Sequence, residues 1–245
     1  MIDRAAGRSV ALLGSGEFGA WHDDVDAWLL ARANGDGSIL ILPTAAAPEG
    51  DDVFDRWGRM GLEHYARLGI AAEVLPVKRR DDAMDDGPVA RVREASAVFF
   101  SGGNPWYLAT VLSETPLWAA IQERLTDGLA YAGCSAGVAC LTSTTYDSDT
   151  DDLGAVWQPG LGYTRSGVLF APHWDIVDSW IPGARAFIES ATPPGGVLVA
   201  LDEDTAMAGD GTSWEVHGRQ AIHVLADGTW VSHGAGSTFE LPLFP

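Results

Sequence analysis

Short apolar runs alternate with amphipathic stretches through roughly the first 140 residues, and that alternation restricts the chain to few architectures. Runs at 10–13, 38–42, 72–77, 97–100 and 129–132 read as buried strands. Between them, 23–33, 51–68, 88–95, 105–112 and 115–125 carry helical spacing. Acidic residues open the first of these segments, where the helix dipole favours them. Pro105 and Pro116 fit first-turn positions. Continuously apolar strands alternating with helices predict βαβ units, in which a mostly parallel sheet is covered by helices on both faces. The expectation is a three-layer α/β sandwich formed by one domain over 1–245.

Beyond residue 141 the texture changes. Residues 142–163 are polar and glycine-rich, a long loop or lid over a site. Runs at 167–172 and 197–201 read as further strands and 180–190 as a helix. Asp210-Gly211, Gly218-Arg219 and Asp227-Gly228 punctuate short alternating runs, so 205–245 is expected to form a β-hairpin extension.

Sites on such sheets lie beyond the carboxyl ends of the strands, where the loops after residues 13, 100 and 132 converge. The third of these loops carries Gly133-Cys134-Ser135-Ala136-Gly137, a G-x-S-x-G pattern. A strand–turn–helix with this pattern holds its serine in a strained conformation, hydroxyl lifted clear of the sheet. The flanking glycines leave room for neighbouring backbone. Cys134 is the alternative nucleophile, but alanines flank it where glycines flank Ser135, so a packing role suits it better.

A serine nucleophile needs a histidine base and a carboxylate to orient it. Of the six histidines, His22 and His64 fall in or beside helices expected to be solvated, and His217 and His223 decorate the hairpin region. His173 ends an apolar strand, and acids stand at the next strand end as Asp202, Glu203 and Asp204. His233 with Asp202 would complete the Ser, Asp, His order of an α/β-hydrolase. The Gly- and Pro-containing tail after it cannot supply the helix that architecture requires.

The formal net charge of -19, from 34 acidic against 15 basic residues, argues against nucleic acid and anionic membrane as partners. The two cysteines, Cys134 and Cys140, cannot bridge each other, and no signal segment or apolar run of 18 residues is present, so a reducing cytoplasm is expected.

Together, Phe99-Phe-Ser-Gly-Gly-Asn104, the elbow, Pro159-Gly-Leu-Gly162 with Gly167-Val-Leu-Phe-Ala-Pro-His173, and Leu201-Asp-Glu-Asp-Thr-Ala206 resemble the S51 peptidases. That family contains aspartyl dipeptidase and cyanophycinase, on a class I glutamine-amidotransferase-like fold. The resemblance spans roughly residues 10 to 220. It implies Ser135 as nucleophile, His173 as base and Glu203 as acid, with Gly102, Gly103 and Ala136 forming the oxyanion hole. It implies no metal or cofactor, a short-peptide substrate with aspartyl dipeptides foremost, and a possible homodimer. Cyanophycinase-type sequences carry a glutamine after Gly-Gly-Asn and several arginines after the histidine. Here Pro105 and Trp174-Asp-Ile-Val-Asp-Ser-Trp180 stand instead, and Ala171-Pro-His173 is more like the dipeptidase branch. Asn104, Arg165, Trp174 and Arg185 are the candidate substrate-binding residues, the arginines for a carboxylate, and Trp106 and Trp180 are candidate pocket walls. An esterase or amidase on a small metabolite, or a non-catalytic binding protein, are the alternatives on the same fold.

Overall fold

The computed structural model describes residues 8–245. Strand β1 (Ser9–Leu13) leads through helix α1 (Asp23–Leu30) to β2 (Ile39–Leu42), followed by α2 (Asp51–Arg67), β3 (Ala72–Val74), α3 (Asp86–Glu94) and β4 (Ala97–Phe100). Helices α4 (Pro105–Leu112) and α5 (Pro116–Thr126) precede β5 (Ala130–Cys134). These five strands pair in parallel in the order β1-β5-β4-β2-β3. Successive side chains of a strand face opposite sides, and the core follows that period. Val10, Leu12, Leu40, Leu42, Val98 and Phe100 face α3, α4 and α5, whereas Ala11, Leu13, Ile39, Ile41, Ala97 and Phe99 face α1 and α2. The expected three-layer sandwich is therefore present.

After β5 come α6 (Ala136–Ala139) and a small hairpin, β6 (Thr144–Tyr146) with β7 (Trp157–Pro159). The stretch expected as a plain loop thus contains a paired strand at each end. Then follow β8 (Val168–Ala171), α7 (Val177–Trp180), α8 (Ala184–Ala191) and β9 (Val197–Leu201). The single helix expected over 180–190 is broken at Pro182-Gly183, where Gly183 has φ +85 and proline removes a donor. Similarly, β3 stops at Val74, short of the expected 77, ahead of Pro76.

The remaining strands are β10 (Thr205–Gly209), β11 (Ser213–Gly218), β12 (Ala221–Ala226), β13 (Thr229–Gly234) and β14 (Thr238–Glu240). Asp210-Gly211 and Asp227-Gly228 do turn antiparallel hairpins, β10–β11 and β12–β13. Asp227 and Gly228 have φ of 49 and 73, the two left-handed positions of a type I′ turn. Gly218-Arg219 instead carries the chain from one sheet to another. The hairpins are not an appended extension. β10 pairs with β1 and completes an eight-stranded sheet, β14-β11-β10-β1-β5-β4-β2-β3. β12 pairs with β9, building a four-stranded sheet, β13-β12-β9-β8, in which β8 and β9 are parallel. One face of the smaller sheet (Val168, Phe170, Val199, Leu201, Ile222) joins the core under α4 to α6. Its other face (Leu169, Ala171, Leu198, Ala200) packs against Trp174, Ile188 and Ala191. Among the described residues no helix is long and apolar enough to cross a membrane.

Candidate active site

The carboxyl ends of five parallel strands, β1, β4 and β5 of the large sheet and β8 and β9 of the small one, meet at one edge. Ser135 follows β5 with φ 50 and ψ -102, a sparsely populated conformation. Its two glycines are required by space: a Cβ on Gly133 would stand 2.3 Å from the Gly137 carbonyl oxygen, and one on Gly137 2.6 Å from that of Phe100. The turn is therefore built by close backbone approach, and it presents Oγ to the edge.

His173, two residues past β8, also has positive φ (58), which swings its ring back over the sheet edge. Its Nε2 lies 2.9 Å from Ser135 Oγ and its Nδ1 3.0 Å from Glu203 Oε1. The Trp180 ring packs against the imidazole at 5.0 Å between centroids. Of the three adjacent acids only Glu203 reaches His173. Asp202 sits 3.0 Å from His223 Nε2, and Asp204 pairs with Arg219. His233 stacks on Phe239 at 4.1 Å and makes no contact with Ser135. Asp175, not singled out from the sequence, supports the acid: its Oδ1 accepts from the Glu203 amide and its Oδ2 from Gln220 Nε2.

The glycines after β4 divide their work. The Gly102 amide donates to Glu17 Oε1 at 2.8 Å and is not available to an oxyanion. The Gly103 amide, at the cavity, and the Ala136 amide have no protein partner among the described residues. Ala136 opens a helix, where the first amides lack intrahelical acceptors. Two of the three residues expected to form the oxyanion hole thus keep free donors beside Ser135.

Glu17 was not singled out from the sequence. It is buried, and its Oε2 accepts from Cys134 Sγ at 3.0 Å while Oε1 holds Gly102. Burial, then the Glu17 carboxylate, push the Cys134 thiol well above its ordinary range, so the cysteine stays protonated. Cys140 is pushed up to about 12 by burial.

A cavity of about 480 Å³ opens beside Ser135 and His173. Tyr146 and Trp157 of the β6–β7 hairpin, Val177 and Trp180 of α7, and Phe187 and Ile188 of α8 wall it. Trp157 stacks on Phe187 at 5.8 Å, tying the hairpin to α8. Of the expected substrate-binding residues, none reaches into this space. Asn104 caps α4, its Oδ1 accepting from the Tyr107 amide, and its Nδ2 donates to Asp147 and Asp149. Trp174 is buried against Trp230. Arg185 donates to the carbonyls of Trp174 and Asp175, and Arg165 is exposed and absent from the cavity wall. Trp106 is likewise outside it; Trp180 lines it.

His22 and His64, expected to be solvated, are buried around Asp26. His64 Nε2 lies 2.7 Å and His22 Nδ1 3.0 Å from Asp26 Oδ2. This is the one trio among the described residues close enough to share an ion. Arg67 Nη2, however, sits 3.2 Å from His64 Nδ1. A guanidinium only donates, so the His64 proton is on Nε2 and points at Asp26. The trio joins α1 to α2 through the His64–Asp26 hydrogen bond, with His22 packed beside it.

An α/β sandwich with a serine elbow, a histidine and a carboxylate gathered at the carboxyl edge is the architecture of a hydrolase-type fold. The chain belongs to peptidase family S51, whose profile matches residues 10–217. It is 28% identical over 204 residues to a cyanophycinase of Synechococcus elongatus, covering 79% of this chain and 60% of that protein. It is 30% identical over 139 residues to a peptidase E of Salmonella typhi, 56% of this chain and 55% of that one. The chain thus spans just over half to three fifths of the length of these two relatives. A crystal structure of a peptidase from an acI-B1 Actinobacterium superimposes with TM-score 0.86 and 31% identity, covering 96% of this chain and 97% of that one.

Proposed function

We propose that the protein is a serine-type peptidase acting on short peptides through an acyl-enzyme on Ser135. The observation that carries the reading is the unbroken chain of contacts from Ser135 Oγ through His173 to Glu203, at 2.9 and 3.0 Å. His173 Nε2 takes the Ser135 proton as Oγ attacks the substrate carbonyl, and Glu203 holds the imidazole in the required tautomer. The free amides of Gly103 and Ala136 receive the oxyanion, each contributing about 3 kcal/mol to the transition state. The C–N bond then breaks, and the amine leaves with the proton that His173 carried. Water, deprotonated by His173, releases the acid product and restores Ser135. The hairpin and α7–α8 wall the cavity, and such walls favour short peptides over extended chains.

The narrower reading, an Asp-Xaa dipeptidase, follows from family resemblance. It lacks a local counter-ion, because among the described residues no arginine or lysine lines the cavity. The test is fluorophosphonate labelling with hydrolysis of a dipeptide panel. Wild type labels at Ser135. Ser135→Ala and His173→Ala lose about 10⁶-fold in kcat, and Glu203→Gln roughly 10⁴-fold. Retained hydrolysis in Ser135→Ala would overturn the assignment.

A further inference from the structure

We infer that the cavity selects a substrate residue with a bulky apolar side chain and a free ammonium group, held by Asp147. This rests on Ser135 being the nucleophile. The walls supply the first half of the inference. Tyr146, Leu153, Trp157, Val177, Trp180 and Phe187 surround the space, and about 480 Å³ accommodates a dipeptide-sized ligand. An aspartyl side chain placed there would lose its hydration with no fixed cation to replace it. Arg185 is turned away onto two backbone carbonyls and its Nε also faces Asp178 at 3.8 Å.

The charge pattern supplies the second half. Asp147 is the only acidic side chain of the described cavity lining, which contains no lysine or arginine. One of its oxygens, Oδ1, is fixed by Asn104 Nδ2 at 2.6 Å and by the Asp149 amide at 3.1 Å. Its Oδ2 has no partner among the described residues. The same Asn104 nitrogen also holds Asp149 Oδ2 at 2.8 Å, so one neutral amide draws two carboxylates together. Asn104 is itself buried and anchored to the start of α4, which makes the arrangement rigid. Two like charges held this close favour a cation beside them. An α-ammonium on the residue whose carbonyl Ser135 attacks provides one, with its apolar side chain directed along the aromatic walls. The cavity therefore has the polarity of an aminopeptidase-like subsite for Leu, Phe or Met residues.

The experiment compares Phe-Ala, Leu-Ala and Asp-Ala with their N-acetylated forms, alongside fluorophosphonate labelling of Ser135. The expected result is a kcat/KM at least tenfold higher for Phe-Ala and Leu-Ala than for Asp-Ala, and a tenfold or greater loss on acetylation. Asp147→Asn keeps the oxygen that Asn104 holds. It should compress the free-to-acetylated ratio towards one, mainly through KM. Leu153→Arg, at the cavity rim, should raise Asp-Ala relative to Phe-Ala. Asp-Ala preferred by wild type, or acetylated and free substrates cleaved alike, would overturn the inference. A protein that labels at Ser135 but cleaves none of the free dipeptides overturns it while leaving the nucleophile standing. Failure to label removes both.

Discussion

Glu17 carries more of the site's geometry than any residue outside the Ser135, His173, Glu203 contact chain. Its carboxylate joins three segments: its own loop after β1, the Gly102 amide after β4, and Cys134 at the end of β5. Glu17→Ala would leave a buried N–H and a buried S–H unpartnered, at about 1–3 kcal/mol for each such group. We expect that variant to lose roughly 10–100-fold in kcat, as the Gly103 amide drifts from its position, with a lowered Tm. Glu17→Gln keeps one acceptor and should recover most of the loss. Equal defects in both variants would point to the negative charge itself. At this scale the sequence was informative where chemistry and local geometry coincide. Ser135 sits in a recognisable turn, and His173 and the three acids end apolar runs. Glu17 gave no comparable signal, because its importance comes from contacts with residues 85 and 117 positions away. Arg185 shows the converse: a charge suited to a carboxylate is consumed by nearby backbone carbonyls.

Between elements, the buried network of His22, Asp26 and His64 ties α1 to α2. Burial alone would raise the Asp26 carboxyl. Contacts with His22 and His64 overcome that and hold it below the ordinary value of 3.8. A depressed folded-state pKa contributes stability above the unfolded value, and that stability is lost as pH falls through the folded one. Wild-type Tm should therefore fall steeply below about pH 4, and Asp26→Asn should fall less over the same window. At neutral pH the variant should cost about 1–3 kcal/mol, since it replaces the charged acceptor of a buried hydrogen bond. Parallel pH–Tm curves for the two proteins would refute the account. Both helices were legible from spacing, and α1 also from its first-turn acids, but the burial of the nearby histidines was not. It depends on the close seating of α2, where a Cβ on Gly61 would stand 2.7 Å from Ile41 Cδ1. The hairpin strands inside 142–163 were equally hidden, because three-residue strands leave almost no periodicity to read.

On the scale of the whole molecule, the alternation in the first half was enough to indicate the sandwich, since each buried parallel strand is a continuous apolar run. The partition of the second half into two sheets was not readable. Gly218-Arg219 looks like any hairpin turn, and only long-range pairing of β10 with β1 and of β12 with β9 reveals that it switches sheets. That division has a consequence for how the protein fails. Ser135 hangs from the eight-stranded sheet and His173 from the four-stranded one, while Glu203 lies on the short connection from β9 to β10, and among the described residues no strand pairing joins the two sheets. Side-chain packing, the short connections 202–204 and 219–220, and a few bonds such as that from the Asp204 amide to Ser15 Oγ keep the nucleophile and its base in register. In a urea titration, hydrolysis should therefore vanish at a lower midpoint than far-UV circular dichroism, because slippage along a packed seam needs no hydrogen-bonded ladder to break. Coincident midpoints would mean that the two sheets come apart only when the whole fold does. Hydrolysis would then report global unfolding; otherwise it is an early-warning gauge, sensing misalignment of the two sheets before the backbone has melted.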